Sequence, residues 1–457
     1  PMNRQTIIIA GAVVAVAAVS AGIIYAGGLA HVGAAYKAKT LCSEIFLAGR
    51  APAEVEADEF AGISPAIDYA NAKVDAAKRS VDASLFGLGK AHAIYRDGIG
   101  CTVEAGGAPA PIATPAEPVI AQGWPEAKAG DPHALPNVDY AAINAAIDAA
   151  FSDGAVATRA ILVAVDGRIV AERYAPNFNA ETPFLSWSMA KSVTASLVGA
   201  AVLRGFIDPM DPAPVPEWKD DAKRSAITWN DLLRMQSGLE FDETYGDPAS
   251  DVARMLFASR ETGAVAADKP LEHAPGDYWY YSSGTTNLIA RTLAQVLEAR
   301  GIDYYAFARD ALFAPLGAAS FTLEPDSAGY SIGSSYIYAT ARDWARLGEL
   351  YLEGGVWKGE RLLPETWPAY VSSPTKASDG EYGAQFWLNH DGADGRVRWV
   401  PGLPDNVYSM SGHEGQYVFI IPDKRMVIVR TGITREVVPI TVVGPTLAAI
   451  YDSVSAE

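Results

Sequence analysis

The chain has 457 residues, 49% hydrophobic and 20% charged, which is enough apolar material for a large buried core and too much for a disordered chain. Asp and Glu outnumber Lys and Arg by 54 to 36, and the net charge of −18 repels phosphate backbones, so nucleic acid is excluded as a partner.

From Thr6 to Ala30 the chain carries no charge. As a helix this run would extend about 37 Å, enough to span a bilayer, and it predicts a membrane anchor within residues 1–30. Cleavage as a signal after Gly28-Leu29-Ala30, giving a secreted protein, is the alternative. The two cysteines, Cys42 and Cys101, both follow this run. They are expected to form one disulfide, the alternative being two unrelated buried thiols, and a disulfide places the body outside the cytoplasm. The predicted location is therefore periplasmic, anchored to the inner membrane through residues 6–30. Residues 31–104 are Ala-rich, with no Gly or Pro from Ala66 to Phe86, and predict a helical membrane-proximal module. Residues 105–137 carry seven prolines and predict an extended linker or surface wrap.

A third pattern fills residues 138–457. A helical run from Tyr140 leads into two β-rich runs joined by Asp166-Gly167, a strong hairpin signal. Near the other end, residues 416–432 repeat that design about Pro422-Asp423, and a helical run closes the chain. Strands at both ends with helical segments between them predict an α+β fold, an antiparallel sheet built from both ends of the domain, flanked by helices, with an inserted helical region. No fixed-period repeat, phosphate-cradling glycine loop or HExxH appears, so neither metal nor organic cofactor is expected.

The chemistry centres on Ser188-Met189-Ala190-Lys191 at the head of a nearly all-apolar helix that Gly205 would stop. Residues three apart share a helix face, so the hydroxyl and the amine can meet. Burial disfavours the ammonium and leaves a neutral amine able to take the serine proton. A second SxxK, Ser373 to Lys376, lies in a polar, Pro-interrupted stretch where the lysine stays solvated and charged.

Two further motifs carry a family resemblance. Tyr281-Ser282-Ser283 follows Pro275-Gly276, and His413-Glu414-Gly415 precedes the strand-like QYVFIIP. With the SxxK, these residues resemble the serine β-lactamase and penicillin-binding-protein family of class C type, whose second motif is Tyr-x-Asn and whose third is Lys-Thr-Gly or His-x-Gly. Stretches 227–239, 333–352 and 382–387 look familiar from the same family. The resemblance covers about residues 140–455, is nearest to 6-aminohexanoate-dimer hydrolase-like amidases and carboxylesterases, and leaves the first 137 residues outside. Ser283 departs from the pattern by standing where Asn is usual.

The resemblance implies an acyl-enzyme serine hydrolase acting on a small ester, amide or peptide. Ser188 would be the nucleophile, Lys191 its base and Tyr281 the proton shuttle. Ser283 and His413 would bind substrate, and the amides of Ser188 and of Gln416, after Gly415, would hold the oxyanion. Short-acyl esters and linear amides are expected to be better substrates than penicillins, because His413 lacks the permanent charge of a lysine. The alternatives are a D-alanyl peptidase or β-lactamase, and, from another class, a non-catalytic sensor of wall fragments or glycans. Natural substrate, leaving group and oligomeric state are not encoded legibly.

Overall fold

The computed structural model describes residues 4–113, 119, 123–131, 133–154, 156–391 and 399–455, with side chains of the first helix described from residue 22 onward. Helix α1 (Arg4–Cys42) leads into a four-stranded antiparallel meander, β1 (Ala70–Asp75), β2 (Ser80–Leu85), β3 (Gly89–Arg96) and β4 (Gly100–Val103). Ala34, Ala35, Ala38 and Leu41 of α1 are buried against Val81, Ala83, Leu85, Ala91 and Ala93 of the meander. A Cβ on Gly89 would lie 2.1 Å from the backbone of Ala30, so only glycine lets the β2–β3 turn approach the helix so closely.

The expected helical module over 31–104 is corrected by this sheet, because after α1 and a short helix at Pro52–Asp58 the strands begin at Ala70. Alternation decided it. Val81, Ala83 and Leu85 are buried at every second position, and the covering face of α1 overrides the helix propensity of alanine. The turns also need left-handed residues, Arg79 and Phe86 among them, which no helix would accept. Cys42 and Cys101 form the expected disulfide, joining the end of α1 to β4.

The expected membrane helix is not supported. Among the described residues no helix is long and apolar enough to cross a membrane, and residues 6–21 of the uncharged run lie outside those whose side chains are described.

Helix α2 (Tyr140–Ser152) and the hairpin β5 (Ala157–Val165) and β6 (Arg168–Tyr174) open the third region. Helices α3 (Ala190–Leu203), α4 (Asp251–Ala258), α5 (Ser283–Glu298) and α6 (Ala341–Leu352) follow. Strands β7 (Trp387–Leu388), β8 (Tyr408–Gly412), β9 (Gln416–Ile421) and β10 (Met426–Ile433) and helix α7 (Pro439–Asp452) complete it. The sheet runs β7-β8-β9-β10-β5-β6, antiparallel throughout, and Met426 pairs with Val165 where the two ends of the domain meet. This is the α+β architecture anticipated above.

Both faces of the sheet are covered, which is why its strands read as unbroken apolar runs. Ile161, Val163 and Val165 pack with Ile143 of α2 and Leu447 of α7, whereas Leu162 and Ala164 pack with Leu197 of α3 and Trp344 of α6. Before the domain, the described part of 105–137 runs extended over it. Trp124 Nε1 donates to Gly167 O at 2.6 Å, and Ala110 N to Ser327 O at 2.9 Å.

Candidate active site

A single 3₁₀ turn, Trp187–Met189, delivers the chain into α3, whose residues Ala190 to Ala201 are all buried. Trp187 holds a φ of 43°, a left-handed conformation that costs a bulky residue roughly 1–3 kcal/mol. Its ring packs edge-on to His413 at 5.6 Å and against Tyr336 at 5.7 Å, contacts that hold the turn and the serine beside it.

Lys191 is 1% exposed. Its Nζ donates to Ser188 Oγ at 3.0 Å, to Ser283 Oγ at 3.0 Å and to the carbonyl of Ser334 at 3.1 Å. Burial lowers its pKa from 10.5 to about 8, while the carboxylate of Glu243 pulls it upward. Glu243 also fixes Ser283, accepting from its hydroxyl at 2.5 Å and its amide at 2.8 Å. Ser283 is the first residue of α5, where an unpaired helix amide favours an anion. Tyr281 is buried, which raises its phenol well above the usual tyrosine value, and a hydrogen bond with Ser188 works the other way. Its ring lies 4.7 Å from Lys191 Nζ and packs on Tyr382 and Trp387.

His413 stands between the rings of Trp187 and Tyr245, and desolvation there lowers its pKa below the ordinary histidine value, so it is neutral at pH 7. Ser188, Ser283 and His413 line one cleft of about 690 Å³.

The structure does not bring Gly415 and Gln416 to that cleft. His413-Glu414-Gly415 is a turn between β8 and β9, and Gln416 sits across the ladder from Gly412. The Gln416 amide side chain is engaged with Gly432, donating to its carbonyl and accepting from its N–H. The backbone that meets the nucleophile is one turn earlier. A Cβ on Gly412 would lie 3.2 Å from Ser188 N and 2.2 Å from Ser186 O. The amide that follows Gly412 belongs to His413.

Sequence reasoning also missed Glu243, Tyr245 and Ser334. Tyr245 donates to Glu243 at 2.8 Å and reaches Ser188. Asn287 accepts from Ser334 N at 3.0 Å and so holds the residue whose carbonyl Lys191 uses. The second SxxK is idle: Ser373 Oγ donates to Tyr370 O and accepts from Arg234, and Lys376 is exposed.

Serine, buried lysine and tyrosine in this arrangement, on a sheet that joins both ends of its domain, define a serine hydrolase of the penicillin-recognising fold. The family model described as Beta-lactamase matches residues 143–432, and the chain belongs to the β-lactamase family. It is similar to the 6-aminohexanoate-dimer hydrolase of Paenarthrobacter ureafaciens, with 28% identity over 291 residues covering 60% of this chain and 72% of that protein. A solved Bacillus anthracis structure, provisionally described as a 6-aminohexanoate-dimer hydrolase, matches with a TM-score of 0.58 and 20% identity over 73% of this chain and 88% of that one. A family VIII carboxylesterase matches with a TM-score of 0.55 and 15% identity over 70% of this chain and 98% of that one. At these identities the two structures bear on the fold alone.

Proposed function

We propose that the protein hydrolyses linear esters or amides through an acyl-enzyme on Ser188. The observation that carries this reading is the hydrogen bonding of Lys191. A neutral amine has two protons and one lone pair. The carbonyl of Ser334 can only accept, and Ser283, whose own proton goes to Glu243, must accept as well. Once the ammonium has lost its proton, its bond to Ser188 therefore reverses, and the lone pair accepts from the Ser188 hydroxyl.

Ser188 Oγ then bonds to the substrate carbonyl carbon as its proton passes to Lys191. The oxyanion is held by the amides of Ser188 and His413. Tyr281, kept neutral by burial, gives its proton to the leaving oxygen or nitrogen as the bond to carbon breaks, and regains one from the Lys191 ammonium. Water then adds to the acyl carbonyl, its proton returning to Ser188 as the acid leaves.

A neutral His413 offers no fixed cation for a β-lactam carboxylate, and this supports linear substrates over penicillins. The test is kcat/KM for p-nitrophenyl butyrate, a linear aminohexanoate amide and nitrocefin on one preparation, with Ser188→Ala as the blank. Turnover of the ester or amide above nitrocefin is expected, and nitrocefin exceeding both would overturn the preference.

The same reading places the body outside the cytoplasm, anchored by α1. It is supported by the Cys42–Cys101 disulfide, which needs an oxidising compartment, and by the uncharged run, in which Ile23, Ile24 and Tyr25 are exposed. An alkaline phosphatase fusion after residue 50 should be active, and an inactive, stably made fusion would refute it.

A further inference from the structure

We propose that the N-terminal module, which lies outside the family match, completes the active site as the pocket for a long linear acyl chain, so that the preferred substrates are fatty acyl esters. This deepens the hydrolase reading and rests on Ser188 being the nucleophile.

The cleft lined by Ser188, Ser283 and His413 is also lined by Val32 and Tyr36 of α1, Leu85 of β2, and Leu256 and Phe257 of α4. The catalytic domain alone supplies only part of that wall. Arg435, which also lines the cleft, is committed elsewhere: it pairs with Glu414 and donates to the carbonyls of Asp58, Glu59 and Ala61. Those bonds pin the module to the turn that carries His413. The apolar end is therefore a fixed part of the site with no cation left over for a charged substrate tail.

The occupant is the acyl part rather than the leaving group. Tyr281, the proton donor to the leaving atom, does not line this cleft, and its ring packs on Tyr382 and Trp387 instead. The leaving group departs past Tyr281, and the apolar cleft receives what remains on Ser188. At the mouth, Ala26 and Leu29 of α1 lie with Phe86 and Leu88, both more than half exposed. An apolar rim of this kind suits a hydrocarbon chain and disfavours a polar one. This proposal departs from the short-acyl preference expected from the motifs, which describe the polar end alone.

Each methylene buried contributes about 0.8 kcal/mol, which is roughly a fourfold gain in kcat/KM. The experiment measures kcat/KM on the intact protein for p-nitrophenyl acetate, butyrate, octanoate and decanoate, each below its micellar concentration. The decanoate-to-acetate ratio is expected to exceed 100. Ala253→Trp, which projects an indole into the cleft from α4, and Leu88→Asp, which charges its exposed rim, should each lower that ratio at least tenfold. Leu88→Asp is a surface change and keeps the test open should the tryptophan variant not fold. A flat or falling chain-length series, or a ratio unmoved in the folded variants, overturns the acyl pocket while acetate turnover leaves the hydrolase reading standing. Absence of turnover at every length, together with no fluorophosphonate adduct on Ser188, overturns the hydrolase reading itself.

Discussion

Lys191 can act as a base only when it has lost its ammonium proton, and the site sets where that happens. Burial lowers its pKa to about 8 while Glu243 pulls it upward. Ester hydrolysis should therefore rise with pH through an apparent pKa near 8, read from kcat/KM between pH 6 and 10. Glu243→Gln removes the anion that favours the ammonium, so the same limb should move to lower pH; a limb that stays put would detach Glu243 from the titration. Ser188→Ala and Lys191→Ala should each lose several orders of magnitude in kcat/KM, whereas Ser373→Ala should keep wild-type activity, since its hydroxyl only ties Arg234 to Tyr370. The Ser188–Lys191 pair was legible because helix geometry alone brings residues three apart together. Glu243 was not, since its bond to Ser283 joins segments 40 residues apart and no spacing announces it. The third motif misled for a related reason. Gly412, not Gly415, meets Ser188, and only the turn between β8 and β9 shows which glycine ends the strand.

Helix α1 and the β1–β4 meander are joined to the hydrolase domain by a buried ion pair. Glu324 reaches out of the domain to accept from Lys39 Nζ at 2.6 Å, from Ser43 and from Cys101 N, and Lys39 and Glu324 are both almost completely buried. Burial lowers the Lys39 pKa despite that partner. Glu324→Ala would strand a buried ammonium and should cost about 3–5 kcal/mol, seen as an earlier urea midpoint for the fluorescence of the whole protein. Beside it, the disulfide closes a loop of 59 residues and should contribute about 4 kcal/mol in the chain-entropy picture, so Cys42→Ser with Cys101→Ser should unfold at lower urea. The pairing of the cysteines was readable from their number and position. The meander was not, because alanine serves a helix and a tightly covered strand equally, and the choice was made by contact with α1 rather than by local sequence.

At the scale of the whole molecule, the sheet could be read from two hairpins at opposite ends of one domain, since unbroken apolar runs require cover on both faces. What could not be read is that a separate module roofs the site, a relation carried by Arg435 and three carbonyls far off in sequence. Charge, by contrast, is a property of the sum. A net −18 surrounds a cleft in which His413 is neutral, Arg435 is paired and the Lys191 ammonium is buried and engaged by Ser188, Ser283 and Ser334, so an anionic substrate meets repulsion on approach and no unengaged cation among these residues on arrival. Salt distinguishes this from a poor fit. The screening length falls from about 30 Å at 0.01 M to under 8 Å at 0.3 M, so added salt removes long-range repulsion without altering the pocket. For a p-nitrophenyl ester ending in a carboxylate, kcat/KM should rise several-fold between those concentrations, while the neutral ester of equal length stays within a factor of two. Equal responses from the two esters would mean that salt acts on the protein's structure, and an anionic ester that falls with salt would reveal an attractive cation at the site and return a carboxylate-bearing substrate to consideration.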